Sequence, residues 1–236
     1  MLAQIRQNAF VVDDAALPGL QAEFAVRHCV LLRQLFEPAL LARLLERLSH
    51  AVTTERTHGA AAGLALAKEL CVERGALVVQ AFVLLLNNPQ LFRLIERLTG
   101  CARIGSFRGR VYLMQPSAGH YDSWHSDVDG NRLIGLSLNL SQAIYSGGLF
   151  QLRERDSMRL VAEIANHTLG DAHLFRIASG LEHRVTEVTG DVTKVALAGW
   201  FQALPEFGGR NLVVGQTGKQ TQPNFLKNPK SRSFPH

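Results

Sequence analysis

The hydrophobic period changes near residue 100, and that change limits the chain to folds that join a helical part to a sheet-rich part. Before it, apolar residues recur at helical spacing: Leu40, Leu41, Leu44, Leu45 and Leu48 follow Pro38, whose fixed φ suits the first turn of a helix. The same pattern predicts helices over about Leu64 to Arg74, Gly75 to Leu86 and Pro89 to Leu98, the last capped by Asn88, and a short strand at Val30-Leu31-Leu32. These leucine stripes read as packing faces. From Ile104 onward the pattern is that of strands, over Arg108 to Met114, Leu133 to Leu140, Leu149 to Arg153 and Ala172 to Ile177, with a short helix within Ser157 to Ala165. Successive antiparallel strands in this amount are compatible with a jelly roll, whose two sheets leave a pocket at one end. The expected organisation is a helical N-terminal region over 1–102, a β-rich core over 103–206 and a polar tail over 207–236.

Within the β-rich part, His125-Ser126-Asp127 is the most informative tripeptide. Side chains two apart on a strand project from one face, so His125 and Asp127 can grip one ion while Ser126 points away. His183 offers a second imidazole far downstream. Two imidazoles and one carboxylate with open positions make the facial triad of non-heme Fe(II) oxygenases. An H-x-D tripeptide alone is weak evidence. His120, His167 and His173 have no carboxylate two residues away in a comparable pair, and they read as ordinary polar or core histidines.

Between His183 and Phe201 the chain is rich in β-branched residues on both sides of Gly190-Asp191, which reads as a hairpin with a type II′ turn. A two-residue turn places Glu187 opposite Lys194 and puts Lys194 on the same face as Val185 and His183. A three-residue turn would reverse the direction of Lys194.

The run Tyr112, Gly119, Tyr121, His125-Ser126-Asp127, Leu138-Asn139, Gly147-Gly148-Leu149-Phe150, Gly170-Asp171, Leu174-Phe175, His183-Arg184-Val185, Val188, Lys194, Ala196-Leu197 and Trp200-Phe201 resembles the catalytic core of the 2-oxoglutarate/Fe(II)-dependent oxygenases, and is most similar to their prolyl-4-hydroxylase-like branch. The resemblance spans about residues 103 to 204. It implies a mixed α and β fold with a double-stranded β-helix core, the cupin-like jelly roll. It implies that His125, Asp127 and His183 bind Fe(II), with 2-oxoglutarate and O2 as co-substrates, and that Lys194 binds the distal carboxylate of 2-oxoglutarate with a hydrogen bond from Tyr112. Lysine at that position gives a point charge where the branch usually has the bidentate fork of arginine. Glu187 stands where prolyl hydroxylases commonly carry proline. The implied reaction is hydroxylation of an unactivated C–H bond with release of succinate and CO2. The presence of Asp127 favours hydroxylation over halogenation, since related halogenases lack this carboxylate.

Composition bounds the partners. The chain has 236 residues, enough for one domain with a substantial core, and a formal charge of +5. Residues 207 to 236 hold Arg210, Lys219, Lys227, Lys230 and Arg232 and no acid, and with those five removed the other 20 basic residues equal the 20 acids. The body is therefore neutral on paper, and neither nucleic acid nor a membrane is expected as a partner. Cys29, Cys71 and Cys101 suit neither a disulfide framework nor a compact zinc knot. With no long apolar run at the start, they point to a cytoplasmic protein. The expected substrate is a small metabolite or amino-acid-like molecule, with Trp124 and Arg153 as candidates for lining its entrance. The alternatives are a protein or peptide hydroxylase of the prolyl-hydroxylase type and a non-catalytic metal-binding jelly roll.

Overall fold

The computed structural model describes residues 1–59 and 65–204, and the basic tail lies outside the described residues. Strands β1 (Ala3–Ile5) and β2 (Phe10–Val12) pair as a ribbon. They are followed by α1 (Leu17–Arg27), β3 (Cys29–Leu32), α2 (Pro38–Leu48), the antiparallel pair β4 (Thr53–Gly59) and β5 (Ala65–Val72), then α3 (Leu77–Leu86) and α4 (Pro89–Thr99). The rest is strand: β6 (Ile104–Met114), β7 (Tyr121–His125), β8 (Arg132–Asn139), β9 (Ser146–Gly147), β10 (Phe150–Glu154), β11 (Leu160–Ile164), β12 (Ala172–Arg176), β13 (Leu181–Val185), β14 (Val188–Thr189) and β15 (Lys194–Ala203).

One sheet runs in the order β11-β10-β13-β7-β5-β6-β15-β8-β12-β3, with β4 added beside β5. Its two ends fold over each other. Phe150 on β10 lies 4.3 Å from the ring of His173 on β12, and Phe175 on β12 lies 4.6 Å from His183 on β13, although these strands are far apart in the sheet order. This is the jelly roll. Along β15, Val195, Leu197 and Phe201 turn outward into a core shared with the helices, while Ala196, Ala198 and Trp200 turn inward, as the two-residue period requires. The helices supply that outer layer through apolar stripes such as Leu91, Phe92, Ile95 and Leu98 of α4, whose first turn is capped by the Asn88 carboxamide accepting from the Gln90 N–H at 2.8 Å.

Three expectations need correction. Strand β5, Ala65–Val72, stands where a helix was expected over about Leu64 to Arg74. Ala67, Glu69 and Cys71 are buried while Leu66, Lys68 and Leu70 are half-buried, a period of two; pairing with β4, β6 and β7 overrides the helical propensity of Leu, Ala, Lys and Glu. Ser157 to Ala165 likewise contains strand β11, paired with β10. Finally, Gly190-Asp191 does not close a hairpin. Val188–Thr189 pairs with Ser146–Gly147, β13 pairs with β10 and β7, and β15 pairs with β6 and β8. Gly190, at φ +78, turns the chain as it crosses from one half of the sheet to the other. Of the four helices expected in the first hundred residues, those from Pro38, from Gly75 and from Pro89 form, α1 is an additional one, and the strand expected at Val30-Leu31-Leu32 is β3, which joins the main sheet with β5.

The inner wall depends on Gly135 of β8, paired with Trp200 on one side and Phe175 on the other. A Cβ at this position would stand 2.1 Å from the Phe175 ring. Gly135→Ala is therefore expected to lower stability by about 1–3 kcal/mol, the cost of overpacking, in a urea melt.

Candidate functional site

His125 at the end of β7 pairs directly with His183 on the neighbouring strand β13, so the two imidazoles face the interior side by side with ring centroids 4.3 Å apart. Asp127 lies just past the end of β7 and returns its carboxylate between them. One carboxylate oxygen is 3.8 Å from His125 Nε2 and the other 3.5 Å from His183 Nε2, and each residue offers a ligand atom within 4.8 Å of the other two. An ion bonded at roughly 2.0–2.2 Å to imidazole nitrogen and carboxylate oxygen holds such atoms about 3–4 Å apart, so the donor set fits a divalent metal.

The surroundings fix each ligand atom. His125 Nδ1 lies 2.8 Å from the Ser123 carbonyl, so it carries the proton and leaves the Nε2 lone pair facing Asp127 and His183. Burial pushes His183 down to about 3, so its ring is neutral and able to ligate. The Asp127 carboxylate accepts from Trp200 Nε1 at 2.6 Å and lies 3.4 Å from Arg132, whose guanidinium stacks 3.8 Å over the Trp200 ring. Trp200 is the residue whose role the motif did not reveal; its signal is parity, six residues beyond Lys194 on one strand. Trp200→Phe keeps the ring and removes the N–H. It is expected to weaken divalent-metal binding by roughly 10- to 100-fold, as loss of a contact supporting a ligand does, measured by Mn(II) titration.

A second histidine-acid-thiol group, His58, Glu69 and Cys71, lies on β4 and β5 at the other side of the cavity. Burial would raise the Glu69 carboxyl, yet His58 at 2.9 Å and Arg110 at 2.7 Å hold it down at about 2. Arg110 supplies the positive charge there, so this group is an ion-pair cluster.

Between these two groups is a cavity of about 430 Å³, walled by Tyr112, Ser137, Phe150, His173 and Phe175. Lys194 shares the inward face of β15 with Ala196, Ala198 and Trp200, and its register partner Met114 continues the inward row of Tyr112 on β6. Its direction follows from strand parity and not from the Gly190-Asp191 turn. The ammonium is buried behind the cavity wall, donates to the Gly148 carbonyl at 2.7 Å, and is lowered by burial to about 8. Glu187 is exposed and does not face it. Tyr112 is buried opposite Ala196 and lines the cavity.

Trp124 and Arg153 do not line the cavity. Each is adjacent in sequence to an inward residue, His125 and Leu152, and therefore points to the outer face of its strand. There Arg153 stacks 4.1 Å from the Trp124 ring, beside Arg184, and pairs with Glu182 at 2.7 Å.

A jelly roll with two imidazoles and a carboxylate at its open end defines a class of non-heme metal enzymes. Residues 109–202, which contain all three groups and Lys194, match the model of the 2OG-Fe(II) oxygenase superfamily. The match covers the β-rich part that carries the triad, and the proteins of that superfamily use Fe(II), 2-oxoglutarate and O2 as cofactor and co-substrates. Solved structures of the same fold include an oxidoreductase of the 2OG-Fe(II) oxygenase family from Burkholderia pseudomallei, with 17% identity and a TM-score of 0.59, covering 85% of this chain and 95% of that one. A Pseudomonas putida prolyl-4-hydroxylase has 17% identity and a TM-score of 0.56, covering 80% and 99%. The epimerase SnoN from nogalamycin biosynthesis has 14% identity and a TM-score of 0.55, covering 81% and 84%. No curated protein matches the chain. Among the described residues, no single helix is long and apolar enough to cross a membrane.

Proposed function

We propose that His125, Asp127 and His183 hold Fe(II), that Lys194 and Tyr112 receive the distal carboxylate of 2-oxoglutarate, and that the protein hydroxylates a C–H bond of a small metabolite or amino-acid-like substrate. The observation that supports this reading is the convergence of two imidazoles and a carboxylate on a cavity behind whose wall, on the same inward strand face, lies a buried lysine. Bound iron supplies the coupling of 2-oxoglutarate decarboxylation to transfer of one oxygen atom to carbon. The chain's own groups do the positioning. Trp200 and Arg132 fix Asp127, the Ser123 carbonyl fixes His125, and Phe150 and Phe175 press on the His183 ring and keep water from that side. A volume of about 430 Å³ suits a co-substrate and part of a small substrate, within the roughly 300–1,000 Å³ common for ligand sites.

The test is succinate formation with Fe(II), 2-oxoglutarate and O2 against panels of free amino acids, small carboxylic acids and proline-containing peptides. Stimulation by a free small molecule supports the reading. Stimulation by peptides alone would transfer the protein to the protein-hydroxylase class, and metal binding without succinate in any panel would make it a non-catalytic jelly roll.

A further inference from the structure

His173 is a buried histidine that the proposed ligand set leaves out. It sits in the middle of β12, between Ser137 of β8 and Leu31 of β3, and is one of the residues in the cavity wall, its ring 4.3 Å from that of Phe150. The residue is 2% exposed, and both of its ring nitrogens lack a hydrogen-bond partner among the described residues. The other two histidines set aside in the sequence differ. His120 Nδ1 accepts from the Gln115 N–H at 2.9 Å, and His167 Nε2 lies 3.4 Å from the Gly147 carbonyl. A buried donor left unsatisfied costs free energy, so a ring with two orphan nitrogens on a cavity wall is a group built to meet something polar.

We propose that His173 is a third recognition group for the dicarboxylate co-substrate, donating a ring N–H to the carboxylate that Lys194 anchors. The inference rests on the co-substrate reading given above and names a residue that the sequence resemblance does not supply. The electrostatics agree: burial lowers His173 to about 3, Lys194 is the cation acting on it most strongly, and His183 follows. The ring is therefore neutral, carries one N–H, and stands in the positive potential of the lysine where a carboxylate gains most.

The test uses Mn(II)-loaded protein and calorimetric titration with 2-oxoglutarate and with 2-oxopentanoate, which has the same chain length and no distal carboxylate. His173→Phe should weaken 2-oxoglutarate binding by about tenfold or more, the value of a hydrogen bond to a charged group, and leave 2-oxopentanoate binding unchanged. His173→Gln, which keeps a donor, should recover part of the loss. The ligand-free Phe variant should melt no lower than wild type, because two unsatisfied nitrogens leave the interior. If the Phe ring prevents folding, His173→Leu carries the same expectation. Wild-type affinity in His173→Phe, or equal losses for both acids, would overturn this inference while leaving the site reading intact. A wild-type protein that binds no 2-oxoglutarate, or whose affinity is untouched by Lys194→Ala, would overturn the site reading itself.

Discussion

Asp127→Ala is expected to abolish succinate formation and to lower divalent-metal affinity by more than the roughly 10- to 100-fold that loss of a supporting contact brings. Asp127 is the one anionic member of the proposed ligand set, and it lies within 4 Å of both imidazoles, so its loss removes charge and geometry together. The same change leaves Trp200 Nε1 without its carboxylate partner and Arg132 with the carboxylate of Asp129 alone, which loosens the mouth of the site. The fold should survive, because the large apolar core lies on the outer face of β6, β8, β12 and β15, away from the triad. Thermal melts with and without Mn(II) separate the two effects. Wild type gains stability with metal by mass action, whereas the variant melts cooperatively with no gain. His125→Ala and His183→Ala should behave alike, and retention of wild-type metal affinity by any of the three would remove that residue from the ligand set.

Lys194→Ala should raise the 2-oxoglutarate dissociation constant by about ten- to a hundredfold, since a buried contact to a charged group contributes roughly 1.5–3 kcal/mol. Metal binding should change little, because the ammonium hydrogen-bonds to Gly148 and not to the triad. Burial lowers Lys194 to about 8, so the sign of the pH effect follows directly. Below that value the free protein holds the ammonium that a carboxylate requires. Above it the lysine is neutral and must take up a proton on binding, and affinity should fall by about tenfold per pH unit. Lys194→Arg, charged at every accessible pH, should flatten this dependence and recover part of the affinity. Unchanged 2-oxoglutarate affinity in Lys194→Ala would show that Lys194 is not the anchor.

Much of the site was legible because strands obey a period of two. His125 and Asp127 converge as their spacing suggested, although β7 ends at His125 and Asp127 reaches the site from just beyond it, and the inward row of Lys194, Ala196, Ala198 and Trp200 could have been counted along one strand without any turn. The turn misled: a glycine beside an aspartate between β-branched segments looks like a hairpin, yet β13 and β15 lie on opposite sides of the β7-β5-β6 stretch of the sheet. Which strands pair over long sequence distances is a tertiary property, and the local pattern does not encode it. The same limit explains β5, whose helix-forming residues become strand through pairing with three neighbours. Trp124 and Arg153 failed for a simpler reason: residues adjacent to inward ones on a strand point out. His173 was indistinguishable from a core histidine until its neighbours were known, since an unsatisfied nitrogen is a property of the packed interior.

The most direct measurement is succinate released per 2-oxoglutarate consumed, with Fe(II) and O2, by wild type and by the three single alanine variants of His125, Asp127 and His183. Metal-dependent, stoichiometric succinate release by wild type and none by the variants is the predicted result; succinate release that persists at wild-type rates in any of the variants would contradict the placement of iron between β7 and β13.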